Sequence, residues 1–454
     1  MNFNVIGNGL DALFCSMKLL QMGNQVRLFS TTEMLGGHFA GYKTPHGTFD
    51  MGMSLLENDH RWVPVKNLCE FKNEFSAGLR PFLKESFDWL TSISGQFQQE
   101  LVVTKLSSGQ EVPDYFIADN LHFLNGLTEN HKNDLLSNLE SYLFDSKEDS
   151  KFHPSSKLSN PYFDSLTLPD YYSRIFGEIF FKTNFENFLN CIAPISFLKR
   201  ARDHRKFWLP LYYPESIYFH LTRSPKFQNF NLPEVKFEKP HNMMTSDLIN
   251  EFSRKIRGHA NFKFILLDSF VNISQILGDD FKTITFLPVD QLEKVITESE
   301  KIKELGKVVL DSSVTLGETK INMIHTCIEK TNSKTVFFQE AASGLFRYSI
   351  SQKIANDKES VASFEFNSSE TFNVTKALGV INAMGFDTLC GSNHINLPFK
   401  PKIMRLENSD WQVLSQEFQN VLEEKLINGP VIHPEAKSFN DNLVRGLSYA
   451  AKIG

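Results

Sequence analysis

The residues with the clearest chemical pattern lie near the start of the chain. Gly7–Ala12 follows the spacing G-x-G-x-x-G/A, between an apolar run at Phe3–Ile6 and a helical pattern at Leu10–Met22. In this pattern the first glycine permits a tight turn, the second lets a diphosphate approach the main chain, and the third small residue keeps helix and strand close. The first N–H groups of the helix then face the phosphates. A plain strand–turn–helix is the alternative, but the order of elements favours a dinucleotide site formed by Gly7, Gly9, Leu10, Asp11 and Ala12.

The residue that ends the next strand departs from this pattern. Gln25–Phe29 completes a strand–helix–strand unit, and an acidic residue usually follows such a strand and binds the ribose hydroxyls. Here the position holds Ser30, which makes fewer and weaker hydrogen bonds. Either Thr31, Thr32 or Glu33 replaces the carboxylate, or the chain has lost tight dinucleotide binding. The sequence favours the first alternative.

The remaining segments predict a chain that leaves this unit and returns to it. Residues 63–143 are mostly helical in pattern, Tyr171–Phe197 has aromatic residues at helical spacing that would cap a ligand, and Pro225–Pro240 reads as a connector. A helix at Thr245–Ile256 and strands at Phe262–Leu267 and Thr283–Pro288 are expected to rejoin the first sheet.

A second sheet is predicted further along. Four short β-rich runs separated by turn residues fit a small antiparallel sheet. Helices are expected to follow it, and a strand, a loop and a helix to close the chain. The four runs are Lys307–Leu310, Lys320–Ile328, Thr335–Phe338 and Leu345–Ile350; the later elements are helices at Glu370–Met384 and Asp410–Leu426, a strand at Val431–Ile432 and a helix at Asn440–Ile453.

Composition excludes several classes of function. The 454 residues include 47 Lys and Arg against 53 Asp and Glu, a net charge of -6 that argues against nucleic-acid binding. We find no apolar stretch long enough to span a bilayer, and no signal-peptide pattern precedes the glycine motif, so a cytoplasmic protein is expected. The five cysteines are scattered, which predicts reduced thiols and no metal site. A small-molecule substrate is the expected partner; the sequence allows a homodimer but does not specify the oligomeric state.

Two further segments resemble a known superfamily. Gly36-Gly37-His38 and Gly47-Thr48-Phe49-Asp50-Met51-Gly52 follow the first motif at a spacing similar to that of the flavin-containing amine oxidases, phytoene desaturases, protoporphyrinogen oxidase and UDP-galactopyranose mutase. The resemblance implies that FAD is the cofactor, because an NAD-dependent dehydrogenase is not expected to carry the second segment. It also implies that Gly36 and Gly37 wrap the phosphate and ribitol region and that the Phe49–Gly52 segment approaches the flavin. The cofactor-binding residues implied here are Ser30, Gly36, Gly37, His38, Met51 and Gly52.

The C-terminal segment resembles the same superfamily more weakly. Asn440–Gly446 occupies the place of a helix whose N-terminus points at the flavin pyrimidine, which would put Asn442 and Leu443 near the cofactor. A helix N-terminus there would stabilise negative charge on the ring. The usual Gly-Asp or Gly-Glu after the last strand is replaced by His433-Pro434-Glu435.

The sequence offers fewer candidates for substrate binding than for cofactor binding. Arg205, Trp208 and Tyr212 belong to a basic and aromatic segment that suits a phosphate or carboxylate beside a stacked ring, although a solvated basic segment explains it equally well. Arg347 resembles an arginine of the sugar-mutase branch that meets the substrate diphosphate, but a surface ion pair is the favoured interpretation. The candidate catalytic residues are His38, His46 and Arg347.

Together these features predict an α/β protein with a Rossmann-like FAD-binding domain and a discontinuous α+β substrate domain, made of an antiparallel sheet and a helical cap. The function favoured is an FAD-dependent oxidoreductase acting on a small organic substrate. A redox-neutral sugar-nucleotide mutase and a non-catalytic binding protein are the alternatives. The FAD-binding domain would comprise residues 1–62, 241–304 and 406–454, and the substrate domain residues 63–240 and 305–405.

Overall fold

The structure is a computed structural model of the chain, and the fold is described for the residues whose placement is defined. These are residues 1–45, 47–51, 56–57, 74–113, 124, 127–145, 168–184, 186, 214–230, 237–270, 280–287, 300, 303–305, 307–308, 313–315, 319–342, 344–352, 358–367, 372–387, 392–399, 402–404, 413–414, 416–417, 419–420, 427–428 and 439–454.

A five-stranded parallel sheet holds the glycine motif. Its spatial order is β10-β2-β1-β11-β19, so the first strand of the chain lies at the centre and its neighbours come from both sides of the sequence. The strands predicted at 3–6, 25–29, 262–267 and 283–288 all belong to this sheet, which confirms that the chain returns to it. The strands are β1 Asn2–Ile6, β2 Gln25–Ser30, β10 Phe262–Leu266, β11 Lys282–Thr285 and β19 Ile427–Asn428.

Several helices pack on this sheet. The helix α1, Leu10–Gln21, ends before Gly23, whose φ of +80° suits the left-handed turn that returns the chain to β2. The helices α7, Thr245–Arg257, and α9, Phe439–Ile453, contribute apolar faces to the same core. Burial of these large side chains removes apolar surface from water and stabilises the unit. The core includes Val5, Leu13, Phe14, Leu28, Phe252, Ile284, Leu443 and Leu447.

A seven-stranded sheet forms the second layer, in the order β17-β13-β16-β15-β14-β7-β8. The predicted antiparallel sheet is confirmed for its central strands. One pair of strands is parallel instead, that of β7 with β14. Through this pair, β7 and β8 from an earlier part of the chain extend the sheet at one end. The strands are β7 Leu101–Lys105, β8 Glu111–Pro113, β13 Thr319–Glu329, β14 Lys334–Ala342, β15 Leu345–Gln352, β16 Glu359–Asn367 and β17 Asn393–Phe399.

The two faces of this sheet differ in chemistry. One face is apolar and packs against the helix α8, Val374–Ala383, through side chains such as Ile324, Tyr348, Phe364 and Ile381. Because successive residues of a strand point to opposite faces, their neighbours in sequence lie on the other side. That side carries polar residues, and we call it the polar face: the half-buried Arg347 and the buried Thr335, Ser349, Ser351, His325, Ser363 and Glu365.

Two predictions about this part of the chain are wrong. Residues 97–113, predicted within a helical region, form strands, because the β-branched run at Val102–Thr104 finds a partner strand in β14. The run at Lys307–Leu310, predicted as β-structure, is helical at residues 307–308. A short apolar run fits either conformation by its pattern, and no strand lies beside this one among the described residues.

Smaller elements connect the two sheets. The hairpin β3–β4 follows the second glycine pair, and a separate three-stranded sheet has the order β5-β9-β6. The segment Pro225–Pro240, expected as a connector, contains a 3-10 helix and the strand β9. These strands are β3 Tyr42–Thr44, β4 Gly47–Phe49, β5 Leu56–Glu57, β6 Phe97–Gln99 and β9 Phe237–Pro240; a separate pair joins β12 Ser313–Thr315 to β18 Lys402–Met404.

The described residues between β8 and β9 are mainly helical. Those at 168–176 and 178–184 confirm the helical pattern predicted there, and Tyr172, Phe176 and Phe181 pack together in them. No helix within the described residues is both long enough and apolar enough to cross a bilayer. The helices are α2 Glu74–Ser94, α3 Glu129–Glu140, α4 Leu168–Phe176, α5 Glu178–Asn184 and α6 Pro214–Thr222.

Candidate functional site

The glycine motif lies where the order of the parallel sheet reverses. From β1 the chain moves to β2 on one side, whereas β11 pairs with β1 on the other, and ligands of such sheets bind outside the carboxyl ends of these central strands. Gly7 follows β1 directly and has a φ of +141°. A Cβ on Gly7 would lie 3.4 Å from the Cβ atoms of both Ala12 and Phe286, so the turn is closely packed from beneath.

The two glycine segments lie side by side as bare main chain. The N–H groups of Gly36 and Gly37 donate to the carbonyl oxygen of Asn8 at 2.7 and 2.8 Å, and Gly9 forms a parallel bridge with Gly36. Gly36 has a φ of +113°, and a Cβ there would overlap the side chain of Ile249. These contacts bring main-chain atoms of both glycine segments to one surface, as the close approach of a diphosphate requires.

The start of α1 faces this surface. Gly9 is the N-cap and offers no side chain to the first N–H groups of the helix, while Leu10 and Ala12 are buried beneath it. An uncapped helix N-terminus is a ready-made anion site. Asp11 places a carboxylate here, and its Oδ1 accepts a hydrogen bond from the Ala12 N–H at 2.9 Å.

Ser30 and its neighbours are engaged in a local turn. The Ser30 hydroxyl donates to the carbonyl oxygen of Thr32 at 2.7 Å and accepts from the Thr32 N–H at 3.1 Å. The Thr32 hydroxyl accepts from the N–H of Met34. Thr31 and Glu33 are exposed, and of the expected ribose-binding residues Glu33 alone carries a carboxylate.

The Phe49–Gly52 segment is anchored to α7. Buried Asp50 accepts hydrogen bonds from the N–H groups of Ser246, at 2.7 Å, and Thr245, at 3.3 Å, and so caps that helix. Burial raises the pKa of the Asp50 carboxyl above its usual range, against the opposing effect of these hydrogen bonds. Met51 is half-buried, and the predicted site residues Gly52 and His46 lie outside the described part of the chain.

The C-terminal helix reaches the same crevice. Phe39, next to His38, makes an edge-to-face contact with Phe439 at 4.9 Å between ring centroids, while the His38 side chain is exposed. Leu443 is fully buried in the core rather than at the surface of the crevice. Asn442 accepts a hydrogen bond from Arg445 at 2.7 Å.

Phe49 links the crevice to the polar face. Its ring stacks on that of His325 at 4.9 Å between centroids. His325 is fully buried, its Nδ1 shares a hydrogen bond of 2.7 Å with the Ser363 hydroxyl, and its Nε2 has no hydrogen-bond partner within the described structure. Burial lowers the pKa of His325 to about 4, so the imidazole is neutral at physiological pH.

Arg347 is also on the polar face, and it is already paired. Its guanidinium donates twice to Glu365, at 2.7 and 2.5 Å, on the directly opposite position of β16. Its Cζ also lies 5.2 Å from the ring centroid of Phe337. The ion pair favoured from the sequence is therefore present, but it is not at the surface, because Glu365 is buried.

A second pair of opposite charges lies at the end of the polar face. Lys239 of β9 lies 2.9 Å from Glu100, and both side chains are buried. Glu100 also accepts hydrogen bonds from the hydroxyls of Ser333 and Thr335, at 2.5 and 3.0 Å. A fully satisfied buried network of this kind holds its segments in one arrangement.

Sequence analysis did not single out several of these residues. His325, Glu365 and the Lys239–Glu100 pair lacked any motif, although His325 lies on a predicted strand beside apolar neighbours. Arg445 belongs to the segment that resembles the superfamily tail, yet nothing in its spacing indicates a partner near the N-terminus. The substrate candidates Arg205, Trp208 and Tyr212 lie outside the described residues.

The mixed α/β fold is shared by several proteins of known structure. A protein from Exiguobacterium sp. 255-15 assigned as a protoporphyrinogen oxidase matches with a TM-score of 0.56 at 13% identity, covering 100% of this chain and 98% of that one. Putrescine oxidase with bound putrescine matches with a TM-score of 0.53 at 9% identity, covering 100% and 99%. A fatty acid isomerase from P. acnes that produces CLA matches with a TM-score of 0.50 at 8% identity, covering 99% and 98%.

These likenesses extend over the whole chain and show that it shares the fold of these structures. At such low identities they concern the fold alone. No protein-family model matches the sequence, and no curated protein matches it.

Proposed function

We propose that the protein is an FAD-dependent oxidoreductase that acts on a small organic substrate. The observation that carries this proposal is the crevice of bare main chain at Gly7, Gly9, Gly36 and Gly37, joined through Phe49 to a buried polar face. The fold similarity to FAD-dependent oxidases supports it.

The crevice suits the diphosphate of FAD. Gly9 and Gly37 would let the pyrophosphate lie against main chain, and the start of α1 would supply N–H donors. Glu33 is the remaining acidic candidate for the ribose hydroxyls. Met51, Gly52, His38 and Asn442 are proposed to lie along the rest of the cofactor, as the resemblance implies.

The polar face is proposed to border the substrate. FAD, when bound, would supply hydride acceptance, so the protein has to bind, orient and exclude water. The His325 Nε2, buried and without a partner among the described atoms, is the group best placed to hydrogen-bond a polar atom of a substrate. Arg347 and Glu365 satisfy each other and would stiffen this wall.

The distribution of strands supports the proposed domain arrangement. The described strands of the parallel sheet come from residues 1–62, 241–304 and 406–454, the proposed FAD-binding domain. Those of the seven-stranded sheet come from 63–240 and 305–405, the proposed substrate domain.

Binding of FAD provides the first test. We expect purified protein to be yellow, or to become so when titrated with FAD. Gly9→Val should reduce flavin content at least tenfold, because the new side chain enters the space of the pyrophosphate, whereas Gly379→Val, on an open part of α8, should not. Protein that stays colourless with FAD would contradict the proposal and favour a non-catalytic binding protein.

Substrate class is tested by reduction of the bound flavin. Under anaerobic conditions, bleaching of the flavin absorbance by a candidate amine would support the oxidoreductase, and the rate would rank the amines.

A redox-neutral isomerase is the second candidate, because one protein of the same fold is a fatty acid isomerase. For the sugar-nucleotide mutase form of this alternative, UDP-sugars are the probes. Turnover that requires a reductant but consumes none would favour it over the oxidoreductase.

A further inference from the structure

The carboxylate of Asp11 lies inside the proposed anion crevice. Its Oδ1 lies 2.5 Å from the point that a Cβ on Gly9 would occupy, and it accepts the hydrogen bond of the Ala12 N–H. That N–H belongs to the first turn of α1, whose donors would otherwise face a bound phosphate. A dinucleotide diphosphate therefore has to bind beside a negative charge that the protein itself carries.

Arg445 supplies the opposite charge from the far end of the sequence. Its Nη2 lies 2.5 Å from Oδ2 of Asp11, and the two residues are 434 positions apart. Both side chains are largely buried, with 16% of Arg445 and 5% of Asp11 exposed. Water screens such a pair poorly, so removal of one charge leaves the other strongly felt nearby.

The packing of α9 on α1 holds this arginine in place. Gly446 lies against the main chain of Asp11, where a Cβ would overlap the carbonyl oxygen. Asn442, one turn earlier, accepts a second hydrogen bond from Nη2 of Arg445. The Nε of Arg445 is buried and has no hydrogen-bond partner among the described residues, so the guanidinium keeps one donor unused.

We propose that Arg445 is a positioning residue for the dinucleotide diphosphate. By neutralising Asp11 it keeps the crevice attractive to an anion, and it fixes the orientation of the carboxylate beside Gly9. This inference rests on the proposed function, because it assumes that the crevice binds a dinucleotide.

A double-mutant cycle tests the proposal. Arg445→Gln should weaken FAD binding at least tenfold, since Asp11 is then an uncompensated charge beside the diphosphate. Asp11→Asn should bind FAD as tightly as wild type or more tightly. The double variant Asp11→Asn/Arg445→Gln should return to within about threefold of wild type, a tenfold change being about 1.4 kcal/mol. Arg254→Gln, at an exposed arginine that pairs with Glu251, is the matched control and should bind normally.

A comparison of ADP binding with adenosine binding distinguishes an effect of Arg445 on the charged diphosphate from a purely structural role. If Arg445 acts on the diphosphate, Arg445→Gln weakens ADP binding much more than adenosine binding. A merely structural role would weaken both alike and would lower the melting temperature of the FAD-free protein in parallel.

The outcomes distinguish the two proposals. Wild-type protein that binds FAD while Arg445→Gln retains full affinity would overturn the role of Arg445 alone, as would a double variant as weak as Arg445→Gln. Wild-type protein that binds neither FAD nor ADP would overturn the proposed function, and this inference with it.

Discussion

The crevice and the polar face are built in opposite ways. At the crevice the important atoms are main-chain atoms, because Gly7, Gly9, Gly36 and Gly37 have no side chains of their own to cover them. On the polar face the important atoms are side-chain atoms, brought together by the register of antiparallel strands: His325 lies opposite Ser363, and Arg347 opposite Glu365.

This difference explains why patterns in the sequence reveal the crevice but not the polar face. Glycine spacing is local, so the crevice is visible within about fifty residues. Cross-strand pairs depend on which strands become neighbours, and that is decided by the whole sheet. The following predictions test whether the two regions also differ in how they depend on single side chains.

The largest effect is expected at the end of the polar face. Lys239→Met should lower the free energy of unfolding by about 3–5 kcal/mol, because it leaves Glu100 buried and charged without its partner. Urea denaturation would measure it. The double variant Lys239→Met/Glu100→Met should recover much of the loss; equal destabilisation by both variants would contradict the charge explanation.

The next effect concerns the packing behind the crevice. Gly446→Ala should destabilise the protein by about 2–3 kcal/mol, because the new Cβ would overlap the main chain of Asp11 and force α9 away from α1. Gly379→Ala is the control: its Cβ meets no atom within 4 Å, and helix propensity predicts a slight gain in stability. Equal melting temperatures for the two variants would show that the close approach of the helices is unimportant.

A pH-dependent effect should distinguish the polar face from the crevice. The pKa of His325 is lowered to about 4 in the folded protein, below its value near 6.5 when unfolded. The unfolded chain therefore binds a proton first, and stability present above pH 6.5 is lost as the pH falls towards 4. We expect wild type to lose roughly 1–3 kcal/mol more than His325→Gln over this range. Parallel stability curves for the two proteins would rule out a buried neutral imidazole.

The smallest effect compares two arginine–glutamate pairs. Arg347→Lys should cost about 1 kcal/mol, because lysine cannot make both hydrogen bonds to the buried Glu365. Arg254→Lys, in the exposed pair with Glu251, should change the free energy of unfolding by less than about 0.5 kcal/mol. Thermal melting of both variants measures the difference, and equal shifts would mean that burial of the pair does not matter.

Local pattern was sufficient for the parallel unit and its return strands. Leu10–Met22, the strands on either side and Gly23 follow from periodicity and turn chemistry, which act over a few residues. The strand at Leu101–Lys105 was missed, because its partner β14 lies more than two hundred residues away. For the same reason the pairing of Asp11 with Arg445 could not be predicted: each residue is ordinary in its own segment, and only the docking of two helices brings them together.

The contact between the first and the last helix has a consequence during protein synthesis. At roughly 5–20 residues per second, the ribosome needs roughly 20–90 seconds to progress from Asp11 to Arg445. Throughout that interval the apolar stripe of α1 that α9 later covers is open to water or to chaperones. The crevice is therefore completed only after residue 450 has been synthesised, because the helix that carries Arg445 has to form before it can pack on α1.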